Sequence, residues 1–261
     1  MRFTLSSTAL SSKLFALAKV ISNKNSLPIL ADFMFRTEGN TLFITASDSE
    51  NSMTTTIELS DSDIDDSFAI ENHSLLEAVK SFPEQPLTFE ADKNDKIVKI
   101  IYQNGQFSLP IESADVYPVA AKIADIAVSI QLSSALLSEN ISRCLCATAQ
   151  DELRPVMNGV FFDITPEYLT IVSTDGHKLV RNRIYDIKND VAASLILAKK
   201  PATILKNMLA KDDTLVTITF DNRNAEVTFG DTRLLCRLID GRYPNYNSVI
   251  PQNNQNVLHV D

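Results

Sequence analysis

The chain has 261 residues, a formal net charge of −9, 44% hydrophobic and 22% charged residues. That balance describes an ordinary folded protein and excludes a disordered or collagen-like one. No apolar run approaches the roughly 18 residues of a membrane-spanning helix, and the amino terminus lacks a signal peptide's long apolar stretch, so a cytoplasmic location is expected.

The first elements in chain order are a strand at residues 2–5 and a helix at 8–21. Leu10, Leu14, Leu17, Ala18 and Ile21 share one helical face, and Ser6-Ser7-Thr8 supplies an N-cap. Strands follow at 29–36, 41–47 and 53–59, the middle one alternating Leu42, Ile44 and Ala46. The order then recurs: a strand at 67–70, a helix at 73–82, and strands at 87–91, 97–102 and 106–111, with a hairpin turn at Asn104-Gly105.

The whole arrangement returns about 127 positions later. Leu5-Ser6-Ser7 is echoed by Leu132-Ser133-Ser134, Pro28 by Pro155, Leu42 and Ile44 by Leu169 and Ile171, and Asp48 by Asp175. A period this long is a duplicated domain rather than a solenoid unit, which recurs every 20–50 residues. The second copy opens with a strand at 127–132 and carries helices at 133–148 and 199–211. Its strands are expected at 159–164, 169–174, 179–185, 215–220, 225–229 and 233–239. The fold class is therefore α+β, with each domain built of two β-α-β-β-β halves. The domains span 1–125 and 126–250. Residues 251–261, with Asn256-Val257-Leu258-His259-Val260-Asp261, match the opening strand of each copy and are expected to begin a third domain of a longer protein.

Charge separates by secondary structure. The segments 8–24, 73–82, 133–148 and 199–211 carry nine basic residues (Lys13, Lys19, Lys24, Lys80, Arg143, Lys199, Lys200, Lys206, Lys211) and two acidic ones, Glu77 and Glu139. If the helices share a face, that face is basic on an acidic body and suits a polyanion bound through its phosphates. Lysines that merely solvate exposed helices would give the same count. Phe15 and Phe82 are the two phenylalanines in these segments, too few to interleave with the lysines, so base stacking is not indicated.

Catalytic motifs are missing. The six glycines form no phosphate-cradling loop, and His73, His177 and His259 have no metal-ligand spacing. Asp61, Asp63, Asp65 and Asp66 are dense, but an EF-hand's Gly and terminal Glu are absent, so a solvated turn is the simpler reading. Cys144, Cys146 and Cys236 read as reduced thiols. No cofactor and no metal are expected. The copies disagree most where Ser47-Asp48-Ser49-Glu50 becomes Thr174-Asp175-Gly176-His177, a change that a remodelled hairpin alone would also explain.

Leu27-Pro28-Ile29-Leu30, Thr174-Asp175-Gly176-His177-Lys178-Leu179 and Asp240-Gly241-Arg242-Tyr243-Pro244-Asn245-Tyr246 closely resemble the bacterial DNA polymerase III β subunit family, the replicative sliding clamps. The resemblance implies a DNA clamp fold: a head-to-tail homodimeric ring, three domains per protomer, sheets outside and helices lining a channel around double-stranded DNA. It implies a non-catalytic processivity factor that tethers polymerase III. Partners would be the polymerase III alpha subunit, the clamp loader, repair polymerases, ligase and mismatch-repair proteins, each bound through a short motif of the Gln-Leu-x-Leu-Phe type. The matching pocket positions are Val156, Met157, Thr174, Gly176, His177, Lys178, Leu179, Pro244, Ser248 and Val249. Ser248 departs from the family, where a basic residue is common. The implied DNA contacts are Lys24, Gln150, Lys199 and Lys200, with His73 where the family often has Arg or Lys. Ring closure would use the strand at 106–111, and a chain ending at 261 would be a monomer. A peptide-binding scaffold that never encircles DNA is the alternative. A nuclease using the acidic cluster is a remoter one.

Overall fold

In the computed structural model, residues 1–22, 24–25, 27–125, 127–151 and 153–252 are described. The 256–261 strand expected to begin a third repeat lies outside them.

The first repeat runs β1 (Arg2–Ser6), α1 (Ser7–Leu17), β2 (Asp32–Glu38), β3 (Thr41–Ser47), β4 (Asn51–Glu58), the short β5 (Asp61–Ser62), β6 (Ser67–Glu71), α2 (Asn72–Lys80), β7 (Pro86–Asp92), β8 (Ile97–Tyr102) and β9 (Gly105–Ser113). The second runs β10 (Val128–Ser133), α3 (Ser134–Leu145), β11 (Gly159–Ile164), β12 (Leu169–Thr174), β13 (Leu179–Ile184), β14 (Ala193–Ala198), α4 (Lys199–Met208), β15 (Leu215–Phe220), β16 (Asn224–Phe229) and β17 (Thr232–Arg237).

The caps of the two opening helices repeat as the sequence does. Ser6 Oγ accepts from the Ala9 N–H at 3.1 Å, and Ser133 Oγ, 127 residues on, accepts from Leu136 at 3.3 Å. Leu10, Leu14 and Leu17 of α1 are fully covered, as are Leu137, Ile141 and Cys144 of α3. Each such apolar side chain removed from water stabilises the fold by about 1.5–3 kcal/mol. The helix expected at 8–21 ends at Leu17, where the Ala18 N–H turns back to Ala16 and Leu14. The strand expected at 29–36 begins with a 3-10 turn at Pro28–Ala31, and Pro155–Asn158 repeats it. No range was read for β14, the strand that the second β-α-β-β-β half requires before its helix. Leu195, Ile196 and Leu197 are consecutively buried there, so period-two alternation is missing, as in a strand covered on both faces.

All strand pairs are antiparallel. β4 pairs with β17 from Thr55↔Thr232 to Asn51↔Cys236, so one 13-stranded sheet crosses the junction between the repeats. Within the first repeat, the halves join through β6 and β9, with Ile70 facing Ile111. The second repeat keeps only an isolated bridge at that place, Leu197 to Leu238, each 127 residues on. Its β11–β14 therefore form a separate four-stranded sheet in the order β13-β12-β11-β14. The helices pack in pairs, α1 with α2 and α3 with α4, against the sheets. Among the described residues, no helix is long and apolar enough to cross a membrane.

Candidate functional site

The sharpest sequence difference between the repeats falls on one conserved turn geometry. Asp175 Oδ1 accepts the N–H groups of His177 and Lys178, both at 2.9 Å, while Thr174 Oγ1 donates to the Lys178 carbonyl at 2.9 Å. In the first repeat, Asp48 Oδ1 accepts from Glu50 at 3.1 Å and Asn51 at 2.7 Å, and Ser47 Oγ donates to the Asn51 carbonyl at 3.0 Å. The backbone bonds from Lys178 and His177 hold the Asp175 carboxyl down at about 2. Gly176 takes the left-handed position at φ +90°, and its low profile leaves Arg154 Nη1 only 3.3 Å from where a Cβ would sit, with Met157 Cε at 3.8 Å.

Beside this turn lies a small apolar cluster separate from the main core. Val172, Ile196, Tyr243 and Tyr246 are buried in it, and Val156, Phe161, Leu179, Ile239 and Ile250 pack against it half-exposed. Strand register explains the meeting: Phe161 faces Val172, and Thr174 faces Leu179. Tyr243 stacks on Phe161 with centroids 4.6 Å apart and planes 2° apart, and its hydroxyl accepts the Thr174 N–H at 3.0 Å. Tyr246 meets Phe161 edge-on and donates to Asp163 Oδ2 at 2.7 Å. Burial pushes both phenols up to about 12. Gly241, at φ +129°, lets the chain pass against Val156, whose Cγ1 would be 2.7 Å from a Cβ there.

Of the expected pocket residues, Val156 and Leu179 edge this cluster, while Met157 lies buried beneath Gly176 and Thr174 is buried within the turn. His177 and Lys178 project into solvent at its rim. Pro244, Ser248 and Val249 stand exposed on the following loop, where Ser248 Oγ donates to the Asn245 carbonyl at 2.7 Å. The sequence reading did not assign Phe161, Val172, Arg154, Tyr243 and Tyr246 to the site. The two tyrosines lay within the quoted 240–246 motif. Phe161 and Val172 share a sheet face that only the register reveals.

The expected DNA residues divide. Lys24 and Gln150 are exposed after the first helix of each repeat, and His73 is exposed in the first turn of α2. Lys199 opens α4. Lys200 is not free: its Nζ donates to Asp48 Oδ2 at 2.5 Å and to the Val20 carbonyl at 2.6 Å, both in the other repeat. The basic helical face is thinner than the sequence suggested. Lys19, Lys24 and Lys211 fall outside the helices. Lys13, Lys80 and Arg143 are paired with Asp231, Glu77 and Glu139. Among the described residues, Lys199 and Lys206 are the helical cations without a carboxylate partner.

The acidic run of the first repeat closes turns rather than gathering around a metal. Asp63 Oδ1 accepts the Arg2 N–H, Asp65 Oδ1 accepts Gly39, and Asp66 Oδ1 accepts Ser67. Among the described residues, no three His, Cys, Asp or Glu side chains are arranged to hold a metal ion.

Comparison with known proteins agrees with this architecture across the chain. Residues 1–121 match the family model of the DNA polymerase III beta subunit, N-terminal domain, and residues 131–245 match that of its central domain. The β sliding clamp of Haemophilus influenzae is 27% identical over 97% of this chain and 69% of its own length, and that of Bacillus subtilis 26% identical over 100% and 71%. The crystal structure of the Bacillus subtilis clamp superposes with a TM-score of 0.89 at 26% identity, covering 97% of this chain and 68% of that one. The Pseudomonas aeruginosa β subunit superposes at 0.92, covering 98% and 69%, with 23% identity. Matched over both repeats, the chain belongs to the DNA polymerase III beta subunit family, the bacterial β sliding clamps.

Proposed function

We propose that the protein is a non-catalytic processivity clamp of cytoplasmic DNA replication, built from domains at 1–125 and 126–250. It acts in a ring around duplex DNA and tethers polymerase III and other partners through the Val156–Leu179–Tyr243 cluster. The observation that carries this reading is the β4–β17 junction. The operation that places β17 of the second repeat on β4 of the first leaves the same two edges for further units: residues 105–109 of β9, which correspond to β17, and β13, which corresponds to β4. Edge-to-edge addition of like units at β9 and at β13 would repeat this junction around a closed ring.

The apolar cluster supplies half-exposed Val156 and Leu179 for partner anchors, and Gly176 keeps the entry low. A Helicobacter pylori β clamp, a fold match at TM-score 0.86, is known bound to a DNA ligase peptide, which supports a peptide-binding role for the corresponding face here. For DNA, Lys24, Gln150, Lys199 and His73 are the proposed contacts, joined by Lys206. Contacts of this kind read phosphates rather than base edges. Anisotropy titration of a labelled Gln-Leu-x-Leu-Phe peptide tests the pocket: saturable binding competed by the unlabelled peptide is expected, and binding unaffected by Leu179→Asp would overturn the assignment.

A further inference from the structure

Two reciprocal ion pairs bracket the strand pairing that joins the repeats. At the Asn51↔Cys236 end, Lys200 from α4 of the second repeat reaches Asp48 in the β3–β4 turn of the first. At the Thr55↔Thr232 end, Lys13 from α1 of the first repeat reaches Asp231 in the turn before β17 of the second. Each bond thus runs from a helix of one unit to a strand turn of the other. The Asp48 side chain is 8% exposed, and Lys200 also donates to the Val20 carbonyl just beyond α1, so its ammonium touches both layers of the first unit. The Thr55 and Thr232 hydroxyls meet at 3.2 Å between the pairs, and the Arg237 N–H donates to the Glu50 carbonyl at 2.9 Å.

A strand ladder alone is a weak angular constraint, because adjacent strands twist over a range of about 25°. A helix-to-turn bond at each end, set off the sheet plane, removes that freedom. We propose that Lys200 is a positioning residue which, with Asp48 and the Lys13–Asp231 pair, fixes the angle between the two clamp units, rather than a phosphate ligand. The Asp48 turn presents its Oδ2 outward because Oδ1 is already held by two backbone N–H groups. The two backbone bonds are intrinsic to the turn, since Asp175 repeats them although its Oδ2 faces Lys178 of its own turn, at 3.5 Å, rather than a lysine of another unit.

The test is a pulsed dipolar distance measurement between spin labels on Lys99→Cys and Thr228→Cys in a Cys146→Ser background, paired with the salt dependence of duplex binding. Native protein gives one narrow distance distribution. Lys200→Met and Asp48→Asn broaden it alike, while Lys200→Arg restores it. Asn at 48 keeps the backbone bonds of the turn, so this variant stays folded even if Lys200→Met does not. Lys200→Met leaves the slope of log affinity against log salt unchanged, whereas loss of a phosphate contact lowers it by about 0.9. A distribution as narrow as native in Asp48→Asn, or a slope drop of about 0.9 in Lys200→Met with the distance unchanged, overturns the proposal. If native protein shows no salt-dependent duplex binding, the DNA reading fails while the distance arm still decides the clasp.

Discussion

Ser49 and Gly176 occupy the same left-handed position of one turn repeated 127 residues apart, at φ +79° and +90°. Serine is strained there and glycine is not. Gly176→Ala should cost about 1–2 kcal/mol, since a Cβ would add left-handed strain and press toward Arg154 at 3.3 Å. Ser49→Gly should be close to neutral, because relief of strain offsets the added freedom of the unfolded chain. Urea midpoints of the two variants check both expectations.

Tyr243 ties the 240–246 loop to the turn through the Thr174 N–H. Tyr243→Phe keeps the stack on Phe161 but leaves the buried Thr174 N–H without its acceptor, at a cost of about 1–3 kcal/mol. Equilibrium unfolding reports this loss. Partner-peptide affinity should fall with it, because Thr174 and Leu179 face each other in the ladder.

Leu179→Asp sets a charge on the half-buried edge of the apolar cluster. Loss of an anchoring contact of the hot-spot kind, about 2 kcal/mol or more, weakens peptide binding at least about 30-fold. Unfolding measurements should show a smaller change, because Leu179 is only partly buried.

Stability should depend on pH through Asp32. Desolvation first, then the nearby Glu71 and Glu112 carboxylates, raise its carboxyl to about 6. A raised acid makes the folded state hold its proton more tightly than the unfolded chain. Its contribution is therefore present below about 4 and is lost as pH rises toward about 6. Asp32→Asn should flatten the fall in urea midpoint between pH 4 and 6; an unchanged profile would reject this assignment.

On the DNA side, Lys199→Ala should lower the salt slope of duplex binding by about 0.9, while Lys80→Ala should lower it less, because Lys80 is already paired with Glu77 at 3.6 Å.

Much of this was legible in the chain. The 127-residue period reproduces the caps at Ser6 and Ser133, the 3-10 turns at Pro28 and Pro155, and the seam at Ile70–Ile111 and Leu197–Leu238. These are local or symmetric features, which pattern reading detects. β14 escaped because a strand buried on both faces carries no alternation. Lys200 is implied as a DNA contact by the match of the Lys199-Lys200 pair to the family; its acceptor, Asp48, is 152 positions away and no local signal joins them. The stacked Phe161 and Tyr243 likewise meet only through tertiary register.

A ring that holds DNA by topology is tested by loading the assembled clamp ring with its clamp loader onto nicked circular duplex and separating bound from free protein before and after linearisation. Retention on the closed circle and release from the linear form are expected. Equal retention on both would contradict it.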